Sequence, residues 1–127
     1  MGNKYSGIAN HEDVLNTVMS RGLLIHIMEH KQQILIQGTL SADIEEDAIN
    51  NAINKEEYDK LIVIYGKNSQ VAEDLVKKQK QLMSLGFKNV KIYIGGLFEW
   101  ALLQDVYGSK EFPIYGAKNP DPMLFKA

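Results

Sequence analysis

Apolar residues along this chain fall into short unbroken runs, separated by stretches in which they recur every three or four positions. "GIANHEDVLNTVMSRG" (7–22) offers Ile8, then Asn10 as a helix N-cap, Glu12 and Asp13 in the first turn, and Val14, Leu15, Val18 and Met19 along one helical face. Gly22 ends that helix. "LLIHIM" (23–28) is too short and too apolar for a helix face and predicts a buried strand, and "QILIQGT" (33–39) predicts a second. Ser41 stands where it would cap a helix whose Ile44, Ala48, Ile49, Ala52 and Ile53 form a stripe, with Glu45, Glu46 and Asp47 toward its N-terminal end. "LIVIY" (61–65) is a continuous run of the kind covered on both faces in parallel sheets, so it is expected to be central. A helix from about 70 to 85, a strand "VKIYI" (90–94) and a helix from Gly96 to Tyr107 complete the pattern.

Strands alternating with helices predict an α/β sheet with right-handed crossovers, and in such sheets sites lie beyond the carboxyl ends of the strands. For the central strand that place is the loop Gly66, Lys67, Asn68, Ser69 and Gln70. With 127 residues and no linker, repeat or low-complexity tract, one domain over 1–127 is expected. The final stretch, "GSKEFPIYGAKNPDPMLFKA" (108–127), holds all three prolines and predicts an irregular tail. It nevertheless keeps Phe112, Ile114, Tyr115, Met123, Leu124 and Phe125, which favours a strap across its own domain, with docking on a partner as the alternative.

Charge and composition narrow the chemistry. A formal net charge of -2 gives no general attraction to nucleic acid or anionic membrane, and Lys77, Lys78, Lys80, Lys88 and Lys91 lack the interleaved aromatics of a base-stacking surface. No nucleic-acid partner is expected. The chain contains no cysteine, which removes disulfides, thiolate metal sites and thiol nucleophiles together. His11, His26 and His30 fall on different elements without carboxylates at ligand spacing, so no metal and no cofactor are expected. His26, inside an apolar strand, reads as a packed core histidine. No apolar run approaches the length of a membrane span, and "MGNKYS" lacks the hydrophobic centre of a secretory signal. The same six residues fit the N-myristoylation pattern at Gly2 with Ser6, a pattern that also arises by chance, and membrane contact is expected only if Gly2 is acylated. The expected location is the cytoplasm, with membrane association or a place in a large assembly as variants.

In the loop, Asn68 or Ser69 can cap the helix that follows, and backbone N–H groups at such a terminus can hold an anion. Glu73 and Asp74 in the same first turn compete for that positive end. A nucleotide phosphate loop is excluded: it requires glycine where Leu61 stands and a hydroxyl residue where Asn68 stands. Ser69 is the only hydroxyl in the loop, and no activating base lies near it in sequence.

"IVIYG" (62–66), "SLGFKNV" (84–90) and "IGGLFEW" (94–100) agree in order and spacing with the C-terminal half of a rhodanese-like domain, whose pattern is a strand ending in "VVYC", a loop and helix, "LGF-NV", a strand, then "GG" and tryptophan. The N-terminal half resembles the same family more weakly, "LLIHIM" standing for its "LIDVR" strand. The resemblance spans roughly 5–107. It implies a three-layer α/β domain with a mainly parallel central sheet of about five strands, and sulfur transfer or dual-specificity phosphatase chemistry through a loop cysteine. Gly66 occupies that cysteine's place, Val71 stands where an arginine often closes the loop, and His26 and Met28 replace the Asp and Arg of the strand. The expectation is therefore a catalytically inactive domain, not an enzyme, acting as a protein-binding or structural module within a larger assembly. The alternative is non-catalytic capture of a small anion or phosphorylated ligand at residues 66–70.

Overall fold

The computed structural model describes residues 7–127. Its strands are β1 (Leu23–His26), β2 (Leu35–Ile36), β3 (Ile62–Tyr65), β4 (Val90–Tyr93) and β5 (Ile114–Tyr115), and its helices α1 (His11–Met19), α2 (Ala42–Asn54), α3 (Ala72–Ser84) and α4 (Gly96–Tyr107). β1, β3 and β4 form a parallel sheet in the order β1-β3-β4. The register sets Leu24 beside Val63, His26 beside Tyr65, and Tyr65 beside Tyr93. β1 and β3 are buried at every position, as continuous apolar runs demand.

Side chains alternate across a strand, so this sheet divides the core in two. Leu24, Val63, Tyr65 and Tyr93 face a layer made by Val14 of α1, Leu97, Trp100 and Ala101 of α4, and Phe112 and Phe125 from beyond α4. Leu23, Ile25, Ile62, Ile64, Val90 and Ile92 face a second layer made by Ile49 and Ala52 of α2, Leu75 and Leu82 of α3, and Phe87. The result is helices, sheet, helices. Residues 7–9 run parallel along the outer edge of β4, through Ala9 N–H to Ile92 O at 2.8 Å and Ile92 N–H to Gly7 O at 2.9 Å.

The five strands are shared between two sheets. β2 is much shorter than the expected 33–39 and pairs antiparallel with β5, not with the parallel sheet. It stops where Gly38 turns with φ +97°. Its partner comes from the proline-containing tail, which also contributes a 3₁₀ turn, Pro122–Phe125. That tail is a strap over its own domain. The Trp100 indole N–H donates to Pro113 O at 3.0 Å, the Gln104 amide donates to Phe112 O at 2.9 Å, and the Phe112 ring lies edge-on to Trp100 with centroids 5.0 Å apart.

Local signals are mostly realised. Asn10 caps α1 in a reciprocal box with Asp13, both bonds at 3.0 Å. α4 begins and ends where expected. Three expectations are corrected. Ser41 precedes α2 without a side-chain cap bond. Val18 and Met19 are exposed, because α1 buries Val14 and Thr17 instead, the Thr17 hydroxyl being satisfied by Val14 O at 2.6 Å. Ile44, in the first turn of α2, is half exposed, while the stripe that packs on the sheet starts a turn later.

Candidate functional site

At the carboxyl ends of β1 and β3 the chain forms a cup of about 560 Å³. Its walls include Ile27 and Met28 after β1, Ile34 before β2, Val71 after β3, and Leu124 and Phe125 from the C-terminal turn. Glu29, Gln32 and Lys67 supply its polar contacts. This is the place the strand order assigns to a site.

Gly66 follows β3 and is buried behind the Ile27 and Val71 walls of the cup, which it does not itself line. A Cβ placed on it would meet Val71 Cγ2 at 2.5 Å and Ile27 Cγ1 at 3.3 Å. The space that a side chain at this position would use is therefore occupied by a neighbouring isopropyl group. Val71, read from the sequence only as a missing arginine, is the residue that fills it. The far side of the loop is fixed by α4. Leu97 N–H donates to Gly66 O at 3.0 Å and Phe98 N–H to Lys67 O at 2.9 Å. Gly96 has φ +64°, and any Cβ there would collide with Gly66 O, so both conformation and contact require glycine.

Asn68 organises the remainder of the loop. It is only 6% exposed. Its Oδ1 accepts from Gln70 N–H at 2.9 Å, capping the 3₁₀ turn Ser69–Val71 that leads into α3, and its Nδ2 donates to Phe125 O at 2.9 Å. Of the two expected caps, Asn68 is the one used. The Gln70 N–H that would have faced an anion already has an acceptor, and Glu73 and Asp74 occupy the first turn of α3. Lys67, Ser69 and Gln70 are exposed, and Lys67 forms no ion pair among the described residues.

The other candidates lie apart from this cup. Ser69 makes no hydrogen bond to a histidine among the described residues. His26 is buried, its Nδ1 accepts from Met28 N–H at 3.1 Å, and burial holds its pKa below the usual histidine value. It is a packed core residue. His30 pairs with Asp43 at 2.9 Å on the surface, and His11 lies against Phe112. Among the described residues no group of three or more His, Asp and Glu could hold a metal ion. Tyr65 receives Ile36 N–H at 3.0 Å, while Thr39, whose hydroxyl donates to Ile36 O, accepts from Tyr65 at 2.8 Å. Tyr93 donates to Glu99 at 2.5 Å. Burial raises the pKa of both phenols well above the ordinary tyrosine range, so each stays protonated and occupied. Trp100 is fully buried and cannot present its ring to a partner. Lys78 and Lys91 of the lysine series are paired with Glu45 at 2.7 Å and Asp13 at 3.5 Å. No helix among the described residues is long and apolar enough to cross a membrane. Gly2 lies outside the described residues.

The sequence missed the walls contributed by Ile27, Met28, Ile34, Leu124 and Phe125. Ile27 was legible only as strand, Met28 as strand and as the residue in place of the family's arginine, and nothing in the tail pattern says which of its apolar residues returns to the loop.

The profile of the Rhodanese-like domain family matches residues 25–103, more than half of the chain. No curated protein matches it. Among solved structures, a crystal structure of a protein from Anabaena sp. is 23% identical, covers 81% of this chain and 88% of its own, and superposes with a TM-score of 0.53. A crystal structure of the Rhodanese_3-like domain from that Anabaena protein is 24% identical over 68% of this chain and 94% of its own, with a TM-score of 0.48.

Proposed function

The chain belongs to the rhodanese-like domain family, and from that premise we propose that it is a catalytically inactive member serving as a protein-binding or structural module. The observation that carries this reading is the state of Gly66. The position from which the family resemblance would deliver a thiol has no side chain, the room for one is taken by Val71, and the chain has no cysteine elsewhere. Ser69 offers no replacement, because an unactivated hydroxyl is a far weaker nucleophile than a thiolate and no base touches it among the described residues. Its partner is a protein, within a larger assembly, and its place of work is the cytoplasm.

The direct test is turnover. Thiosulfate-to-cyanide sulfur transfer and aryl phosphate hydrolysis are both expected at background. Activity in either assay that survives repurification and scales with the protein would sink the proposal.

A further inference from the structure

The last residues of the chain are held as a ligand is held. From residue 116 onward, among the described residues, one hydrogen bond joins the segment to the rest of the domain: the Asn68 amide to Phe125 O. The others are local, Met123 N–H to Asp121 Oδ1 and Leu124 N–H to Asp121 O, both at 3.0 Å, and Lys126 N–H to Met123 O. The second attachment is the Phe125 ring, 4% exposed, in the cluster that holds Leu97, Trp100 and Tyr93. Met123 and Leu124 remain 56% and 60% exposed. One aromatic anchor in a pocket, one buried amide reading a main-chain carbonyl, and a proline that stiffens the approach are the parts by which domains recognise short peptides.

We infer that the surface on which the Pro-Met-Leu-Phe turn sits, formed by Asn68 and by the face of α4 that carries Leu97 and Trp100, is a peptide-recognition site filled in cis by that turn, and that a partner protein occupies it in trans with a segment of the same chemistry: a proline, an apolar residue and an aromatic residue whose own carbonyl meets Asn68. This rests on the protein-binding reading above and names its partner. The tail itself supplies the argument for the occupant, since it shows what the site accepts. The Asn68 amide is indifferent to which chain supplies the carbonyl, so selectivity lies in the ring pocket and the proline. A tethered segment competes at an effective concentration in the millimolar range. The wild-type chain is therefore closed to weak competitors, and a partner must displace the turn.

The experiment uses the full chain with its own anchor removed. A fluorescently labelled peptide of sequence NPDPMLFKA (119–127) is titrated with wild-type protein, with Phe125→Ala and with Asn68→Ala/Phe125→Ala, and polarisation is recorded. Phe125→Ala is expected to keep its far-ultraviolet dichroism and to bind the peptide at least about ten-fold more tightly than wild type, because the cis competitor is disabled. Asn68→Ala/Phe125→Ala is expected to lose at least about ten-fold of that affinity, because it removes the buried amide donor together with the Oδ1 cap on Gln70 N–H. A peptide with its phenylalanine replaced by alanine should not bind. The inference is overturned if folded Phe125→Ala shows no saturable binding at about millimolar concentration, or if Phe125→Ala unfolds, which would make the turn an integral part of the core. It is also overturned if wild type elutes as a tail-exchanged dimer, which would make the occupant a second copy. None of these results bears on the missing thiol chemistry, which the sulfur-transfer assay reads by itself.

Discussion

Replacing Gly66 by cysteine restores a thiol, yet its Cβ would meet Val71 Cγ2 at 2.5 Å in a buried position. Overpacking of this kind costs about 1–3 kcal/mol, so Gly66→Cys should lower the urea midpoint by a corresponding amount, and adding Val71→Ala should recover most of it. If Gly66→Cys alone were as stable as wild type, the close packing described at the cup would be wrong. His26 gives the molecule a pH response. Burial favours its neutral form, the nearby Glu45 charge opposes this, and His30 adds to it. Nδ1 also accepts the Met28 N–H, which only an unprotonated nitrogen can do. The folded pKa thus lies below the unfolded value of 6.5. Above that value neither state is protonated at His26 and stability is unaffected by it. As pH falls through it the unfolded chain takes up the proton first, and stability declines until the folded imidazole also protonates. Urea midpoints at about pH 7.5 and about pH 5.5 should show the decline, and His26→Gln should flatten it. A histidine variant with the same slope as wild type would show that other groups carry the response.

The strap makes α4 dependent on residues that follow it. Phe112 packs on Trp100, and also lies 5.6 Å from the His11 ring and 5.9 Å from Tyr107, so Phe112→Ala should cost about 3–5 kcal/mol by thermal or urea unfolding. A chain ending at Tyr107 should lose stability further and red-shift its tryptophan emission, because the Trp100 indole loses both the Phe112 ring and Pro113 O. Unchanged emission would mean that α4 is shielded without the strap. The contrast between α4 and β2 shows what patterning conveys. The limits of α4 were read at Gly96 and Tyr107, and in the structure Gly96 turns with φ +64° at its start and Gly108, with φ +102°, turns at its end. β2 was read too long because its pairing partner is a pair of residues, Ile114 and Tyr115, flanked by Pro113 and Gly116 and carrying no strand signature of its own. At the loop, Gly66 to Gln70 and the Asn68 cap were legible as a strand-to-helix junction. That Asn68 reaches Phe125, and that Val71 fills the space above Gly66, depends on contacts distant in sequence or on packing depth, which periodicity does not encode.

For the molecule as a whole, the sheet is common to both core clusters, so the two are expected to melt together. Trp100 reports on the layer of α1 and α4, and far-ultraviolet dichroism on all four helices, two of which lie in the other layer. The two probes should give coincident urea transitions, as expected for one cooperative unit. Separated midpoints would reveal layers that unfold independently. The division of labour within the 66–70 loop extends beyond the question of catalysis. Its course is set by main-chain carbonyls gripped by the first turn of α4 and by the inward Asn68, whereas the Ser69 and Gln70 side chains are exposed and make no hydrogen bond among the described residues. Those positions form an interchangeable face on a rigid mount: evolution or an engineer can rewrite them, as one rewrites the tip of an antibody loop, without disturbing the frame that presents them.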